Sequence, residues 1–423
     1  MTVILLLFAA FFVGIPIAFG IGIVSSFQLI QMNTSMNMVT QRVFSGIDNT
    51  TLTAVLLFTL AGSLMMKGGM SDRLINFAEA LVGHWPSGMA MVSVLACMFF
   101  ASLTGAAIAA AAAIGGIMIP VMLEKKYDKP FTASLLATSA SIGPIIPPSI
   151  PLLLYGVVAS CSVAKLFIGG IVPGVMMGVA LMVYSQFIGK KRGYIGRAVK
   201  ADRRERIGAF KQAGLALLVP VVILGGIMTG IFTATESAAI ACVYSLLVSA
   251  FVYRTLTIKG IIESLLEAAR TTGSVLIIVA FASLFTWVLS RMMIPQALTA
   301  FLSSAIKSKW LFLLLINVIL LIAGTFIDTN SAVLIFSPLF LPVAANFGID
   351  PVHLGLVIAV NLTIGMCTPP LGVCLFVTSG IAKLPLKGMF KDLWPQLIGL
   401  IVVLLLVTYI PGFVTFLPNL LVK

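Results

Sequence analysis

Between Lys129 and Lys165 the chain runs for 35 residues without a charge, and four prolines stand in the middle of that run, in SIGPIIPPSIP, Ser141 to Pro151. As one α-helix the run would measure about 53 Å at 1.5 Å per residue, against a hydrocarbon core of about 30 Å. One straight membrane helix does not fit. Pro147 and Pro148 remove backbone donors and clash with the preceding turn, so the spacing predicts two half-helices parted by an unwound stretch around 141–149. Unwound backbone at membrane depth is stable only where protein or a water-filled cavity satisfies its N–H and C=O groups. The segment therefore predicts a packed helical membrane fold with a polar interior.

Composition agrees. The chain is 60% hydrophobic and 9% charged, with a mean hydropathy of +1.16, whereas soluble domains carry roughly a quarter of their residues as charge. The net charge of +13 would suggest nucleic acid in a soluble protein. Here the basic residues lie between apolar spans, so the positive-inside rule accounts for them, and the expected surroundings are a lipid bilayer and no nucleic acid. The opening MTVILLLFAAFFVGIPIAFGIGIV has no basic leader or small-residue cleavage site and reads as a first transmembrane helix. Cys97, Cys161, Cys242, Cys367 and Cys374 fall in apolar runs without CxxC spacing, which points to packing.

Apolar segments between charges give helices at 2–30 and 50–67, an amphipathic stretch at 72–84 and an uncharged block at 85–123. The interrupted segment 130–168 follows, then helices at 170–189, 213–230 and 233–253. After these come an amphipathic stretch at 255–270, a helix at 272–290, a second block at 310–348, a second interrupted segment at 352–382 and a last helix at 394–417. The loop GKKRGYIGRAVKADRRERIGAFK holds nine of the 26 basic residues and is expected in the cytoplasm. Counting outward puts 20 basic residues inside against six outside (Arg42, Lys165, Arg291, Lys307, Lys309, Lys423), with the N-terminus cytoplasmic and the C-terminus periplasmic. That count requires each block to enter and leave on one face. Each has a polar or small-residue centre, SLTGAA (102–107) and GTFIDTNS (324–331), so both are predicted to be re-entrant hairpins.

The two halves repeat. Ile142, Gly143, Pro147 and Pro148 match Ile364, Gly365, Pro369 and Pro370 at an offset of 222, as do Pro120 with Pro342, Lys165 with Lys387 and Pro173 with Pro395; one compensated shift separates Pro130 from Pro351. The matched segments cross the membrane in opposite senses. The expected fold class is an all-α polytopic membrane protein with an inverted-topology repeat, each half a hairpin followed by a broken helix.

Half-helices that end at the midplane present carbonyls to a cation and N–H groups to an anion. Carbonyls with Ser102, Thr104 and Ser141 in the first half, and with Asp328, Thr329, Asn330 and Thr368 in the second, suit a hard monovalent cation. There is no His or carboxylate cluster for a softer metal. Ser102 and Asp328 have an alternative reading as N-caps of the returning hairpin arms. Glu236, three residues after Thr233 in TATE, has the pattern of a capping box. Arg291 reads as a snorkelling interfacial arginine, with attraction of an anionic substrate as the alternative.

The segments KGGMSDRLINFAEALVGHWPSGMAMVSVLACMFF, AAIGGIMIPVMLEKKYDK, SIGPIIPPSIPLLLYGVVAS and GIFTATESAAIACVYSLLV together resemble the large membrane subunit of tripartite ATP-independent periplasmic (TRAP) transporters, over essentially the whole chain. The resemblance implies a bacterial inner-membrane, Na⁺-coupled elevator carrier with no other cofactor and no enzymatic activity. It implies two partners, a small four-helix membrane subunit and a periplasmic substrate-binding protein that delivers an organic acid such as sialic acid or a C4-dicarboxylate. It further implies a first sodium site around Ser102, Thr104, Gly105, Ser141, Gly143 and Pro147. A second would lie around Thr325, Asp328, Thr329, Asn330, Gly365, Thr368 and Pro369. Ala106, Ser149, Asp328 and Arg291 are the candidates for touching substrate. On this reading 1–84 are scaffold helices and a first arm, 85–168 and 294–382 the two transport repeats, 169–293 scaffold, basic loop and second arm, and 383–423 a terminal scaffold helix. One departure stands out: the family's first tip commonly reads Ser-Gly-Ser, and here Thr104-Gly105-Ala106 lacks the last hydroxyl.

Three other readings are open. A stand-alone Na⁺/dicarboxylate symporter of the related hairpin fold would transport without a binding protein. A membrane enzyme is disfavoured, since HExxH, GxSxG and a paired intramembrane Asp motif are all missing. A passive channel suits twofold broken hairpins less well than alternating access.

Overall fold

The computed structural model describes residues 2–197 and 199–422; Met1, Ala198 and Lys423, the last counted above among the outer charges, lie outside the described residues. Among the described residues the chain is all helix and turn, and nine helices are long and apolar enough to cross a membrane.

The first six helices are α1 (Thr2–Phe12), α2 (Ile17–Gln31), α3 (Asn37–Ile47), α4 (Thr53–Lys67), α5 (Met70–Val82) and α6 (Gly88–Thr104). Then come α7 (Ala107–Glu124), α8 (Lys129–Ala140), α9 (Ile150–Ala159), α10 (Val163–Arg192), α11 (Arg203–Met228), α12 (Ala234–Leu247) and α13 (Ile258–Arg291). The rest are α14 (Ile294–Ala305), α15 (Lys309–Phe326), α16 (Thr329–Asn346), α17 (Pro351–Gly365), α18 (Val373–Ala382), α19 (Leu386–Tyr409) and α20 (Gly412–Leu421).

The repeat is visible in these boundaries. Hairpin α6–α7 corresponds to α15–α16, the broken pair α8 and α9 to α17 and α18, and α10 to α19. Pro147–Pro148 and Pro369–Pro370 are both cis, at the same place in each half. The two halves interlock: α9 packs on α16, while α18 packs on α7 and α8. Gly355 makes one such crossing possible, because a Cβ there would sit 2.3 Å from Tyr155 Cε1. Tyr155 O–H then reaches across to donate to the Pro351 carbonyl at 2.7 Å. Around this core α4 packs on α12 and α13, α13 also on α2 and α3, and α11 on α5 and α12.

Polar contacts tie the core at depth. Asn361 Nδ2 on α17 donates to Asn317 Oδ1 on α15 at 2.9 Å, and Asn317 Nδ2 donates to Thr408 Oγ1 on α19 at 3.0 Å. Gln396 of α19 accepts from Thr138 at 2.6 Å and donates to Ser134 at 2.9 Å. Intramembrane bonds of this kind are worth about 0.6 kcal/mol each on average, so their effect is to set which helix faces meet.

Several expected boundaries are corrected. The predicted helix 2–30 is two helices, because Gly14 adopts φ +88° and Pro16 follows, turning α2 back so that Gly20 approaches Phe11. The stretch 255–270 and the helix 272–290 are one 34-residue helix, α13; its charges lie along one flank and do not break the backbone ladder. The helix predicted at 394–417 begins at Leu386 and stops at Tyr409, ahead of Pro411, with α20 beyond. Helices α3 and α14, both amphipathic, were not anticipated.

Helices α15 and α17 touch backbone to backbone. A Cβ on Gly365 would lie 2.6 Å from Gly324 Cα, which cannot swing aside. Gly365→Ala is expected to lower stability by about 1–3 kcal/mol through overpacking, read as a lower thermal midpoint in detergent. Gly399→Ala, where the added carbon meets only Ala180 Cβ at 3.9 Å, should melt like the parent; equal midpoints for the two variants would contradict the packing described.

Candidate ion and substrate site

Each hairpin tip is seated in the break of its own repeat. In the first, α6 ends at Thr104, Gly105 turns the chain with φ +62°, and α7 restarts at Ala107. A Cβ on Gly105 would lie 2.2 Å from the Pro148 carbonyl oxygen, and one on Gly143 would lie 3.1 Å from the Ala106 carbonyl. Glycine is required at Gly105 by close approach and by the positive φ, and at Gly143 an added carbon would be tight against the tip. The break is held from within: Ser149 Oγ accepts from Leu152 N at 3.2 Å as the N-cap of α9, and its hydroxyl donates to the Pro144 carbonyl. Ser149, expected as a substrate contact, is thus engaged in shaping the break.

The second tip repeats the plan with a carboxylate added. Asp328 N-caps α16, accepting from Ser331 N at 3.2 Å, and it also accepts from the Ser331 hydroxyl. Gly372, at φ +60°, donates its N–H to the Thr325 carbonyl at 3.2 Å, closing the break onto the tip. Thr329 Oγ1 contacts Met366 Sδ at 2.9 Å.

The hydroxyl protons of the predicted set are almost all turned back on their own helices. Ser102 donates to Phe99 O at 2.6 Å, Thr104 to Phe100 O at 3.3 Å and Ser141 to Thr138 O at 2.8 Å. In the second half Thr325 donates to Ile322 O and Thr368 to Ile364 O, both at 2.8 Å. What these side chains have left to offer a ligand is oxygen lone pairs. The C-terminal ends of α6 and α8 converge at the first tip and those of α15 and α17 at the second, adding partial negative charge from their last carbonyls. Among the described residues Asn330 Oδ1, two positions after Asp328, is buried without a hydrogen-bond partner, an open acceptor. A donor set of hydroxyl, amide and carbonyl oxygens with one carboxylate fits a hard monovalent cation. Among the described residues no group of three or more His, Cys, Asp and Glu side chains could hold a metal of another kind.

Two alternatives raised by the sequence resolve differently. Asp328 is an N-cap, as its position allowed. Ser102 is not, since it lies inside α6 and bonds backward to Phe99. The capping box at Thr233 and Glu236 is present in full. Arg291 is the exposed last residue of α13 and has no hydrogen bond or ion pair to either tip among the described residues. The structure also brings in residues the sequence did not single out. Gly324 lets α15 meet Gly365, and Gly62 lets α4 press on the first tip, where a Cβ would come within 3.1 Å of Leu103 O and Thr104 Cα. Gly324 lies at the start of the GTFIDTNS centre, whereas the signal for Gly62 is a glycine in an apolar run.

Comparison with known proteins completes the assignment. Residues 4–413 match the family model for the tripartite ATP-independent periplasmic transporter, DctM component. The chain is 41% identical over 410 residues to the sialic acid TRAP transporter large permease protein SiaM of Vibrio cholerae, covering 97% of this chain and 96% of that one. It is 39% identical to the C4-dicarboxylate TRAP transporter large permease protein DctM of Rhodobacter capsulatus, with 98% of each chain covered. The fold is similar to that of the Alcanivorax borkumensis YdaH transporter, with a TM-score of 0.64 at 14% identity over 89% of this chain and 87% of that one. The chain therefore belongs to the family of TRAP transporter large permeases, membrane transporter components that are not enzymes.

Proposed function

We propose that this permease couples Na⁺ entry to the import of an organic acid across the bacterial inner membrane by an elevator movement of the two interlocked repeats. The observation that carries the reading is the pair of glycine-seated tips, whose available groups are oxygen lone pairs, with Asn330 Oδ1 left open two positions after Asp328. Sodium would be held at the first site by carbonyls of the tip and break with Ser102, Thr104 and Ser141, and at the second by Asp328, Asn330, Thr325, Thr368 and neighbouring carbonyls. The N-termini of α7, α9, α16 and α18 face the same breaks and favour an anion there. The family implies a small membrane subunit and a periplasmic binding protein. The substrate class is drawn from the sialic acid and C4-dicarboxylate relatives. In the orientation we propose, the basic loop between α10 and α11 is cytoplasmic.

Sodium-specific stabilisation is the first test. Thermal unfolding in NaCl, KCl and choline chloride at equal ionic strength should show a higher midpoint in NaCl alone, since a ligand at a hundredfold excess over its Kd stabilises by about 2.7 kcal/mol. Equal midpoints in all three salts would remove the sodium reading. For transport, liposomes holding the permease with its small subunit should take up organic acid only with binding protein and an inward sodium gradient. Asp328→Ala should cut that uptake about tenfold or more while the protein still inserts. Uptake by the permease alone would favour the stand-alone symporter.

A further inference from the structure

We propose that Glu267 is a cation-guiding residue, a carboxylate on α13 that supplies the first hairpin tip with the negative charge its own repeat lacks. The inference rests on the reading of that tip as a cation site. At the offset of 222 the place of Asp328 in the second tip is taken by Ala106 in the first, so the first site has hydroxyls and carbonyls and no formal charge. The helices that face that tip provide one. Because α13 is continuous from Ile258 to Arg291, Glu267 sits inside a helix that packs along α4. Ser63 Oγ of α4 donates to Glu267 Oε2 at 2.6 Å. The preceding residue, Gly62, is where α4 meets the tip, a Cβ there lying 3.1 Å from Leu103 O and Thr104 Cα. Two adjoining residues of α4 therefore meet the tip and hydrogen-bond the carboxylate.

The charge of Glu267 is uncompensated. One turn away, Glu263 Oε2 is paired with Lys67 Nζ at 2.7 Å, whereas among the described residues no cation lies within ion-pair distance of Glu267. Arg270, the next basic residue on α13, is exposed and makes no ion pair there. Glu267 lies in the charged first part of α13, between Glu263 and Arg270, and is itself partly buried. A unit charge at about 10 Å, in an effective dielectric of about 20, changes cation affinity on the order of tenfold, and less as salt screens it. Because the carboxylate belongs to α13 and not to the repeat, its effect lasts only while the tip rests against α4. The first site would then hold its cation more tightly in this position of the tip than in one displaced along α4.

The test is a sodium titration of the thermal midpoint for the permease with its small subunit, at ionic strength held constant with choline chloride. Glu267→Gln keeps the volume and the acceptor for Ser63 while removing the charge, so a purely structural role would not move the titration. The proposal expects Glu267→Gln to raise the half-saturating sodium concentration about tenfold, with Glu267→Asp close to the parent. Lys67→Met, which leaves Glu263 unpaired one turn away, should shift it in the opposite direction. A parent that responds to sodium with Glu267→Gln and Lys67→Met titrating identically to it would overturn the role of Glu267 and leave the sodium reading standing. A parent with no sodium-specific response would overturn both. If Glu267→Gln does not assemble, Glu267→Ala, which removes the charge without adding an amide to satisfy, decides the question by the same shift or its absence.

Discussion

The contact on which the rest of the molecule depends is the seating of each hairpin tip in the break of a broken helix. Hydrocarbon offers no hydrogen bonds, so a chain that unwinds at Pro147 and Pro148, and again at Pro369 and Pro370, is stable only if other protein covers the exposed backbone. The tips do this at the closest range that atoms allow, with Gly105 against the Pro148 carbonyl and Gly324 against Gly365. The same closeness concentrates helix ends and outward-facing oxygens in one place. The solution to a folding problem and the gathering of the oxygens on which the proposed cation sites rest are one arrangement.

The two repeats share backbone geometry but not charge. The element order corresponds and the cis and interior prolines agree at an offset of 222, while Asp328 faces Ala106 across the pseudo-symmetry. Interlocking of α9 with α16 and of α18 with α7 and α8 means that neither half can move far without the other. An electrostatic difference between the halves can therefore be expressed as a difference in ion affinity without a difference in fold.

Much of this was legible beforehand because membranes impose strict lengths. An uncharged run too long for one helix and too short for two full spans, with prolines at its centre, has few solutions, and the hairpin centres at 102–107 and 324–331 were found by the same reasoning. The failures share a cause. Apolarity alone reads 2–30 as one helix, whereas Gly14 and Pro16 divide it into two. The stretch 255–270 and the helix 272–290 read as separate elements, whereas α13 carries Glu263, Glu267 and Arg270 along one flank of a single helix. Hydropathy reports where charge lies in the chain and is silent on which side of a helix it faces. Ser102 was a plausible cap by type, and only its position inside α6 shows that it bonds to Phe99.

By itself the sequence determined the class of molecule, the number and place of its broken elements, the inverted repeat and the residues near each break, since these follow from length, proline chemistry and the cost of unsatisfied backbone. Tertiary structure alone decided which hydroxyls turn back on their own helices, which glycines bring backbones into contact, and that Ser63 of α4 meets the Glu267 carboxylate of α13, 204 residues away in the chain. Those are distances between segments remote in sequence, and no local propensity encodes them.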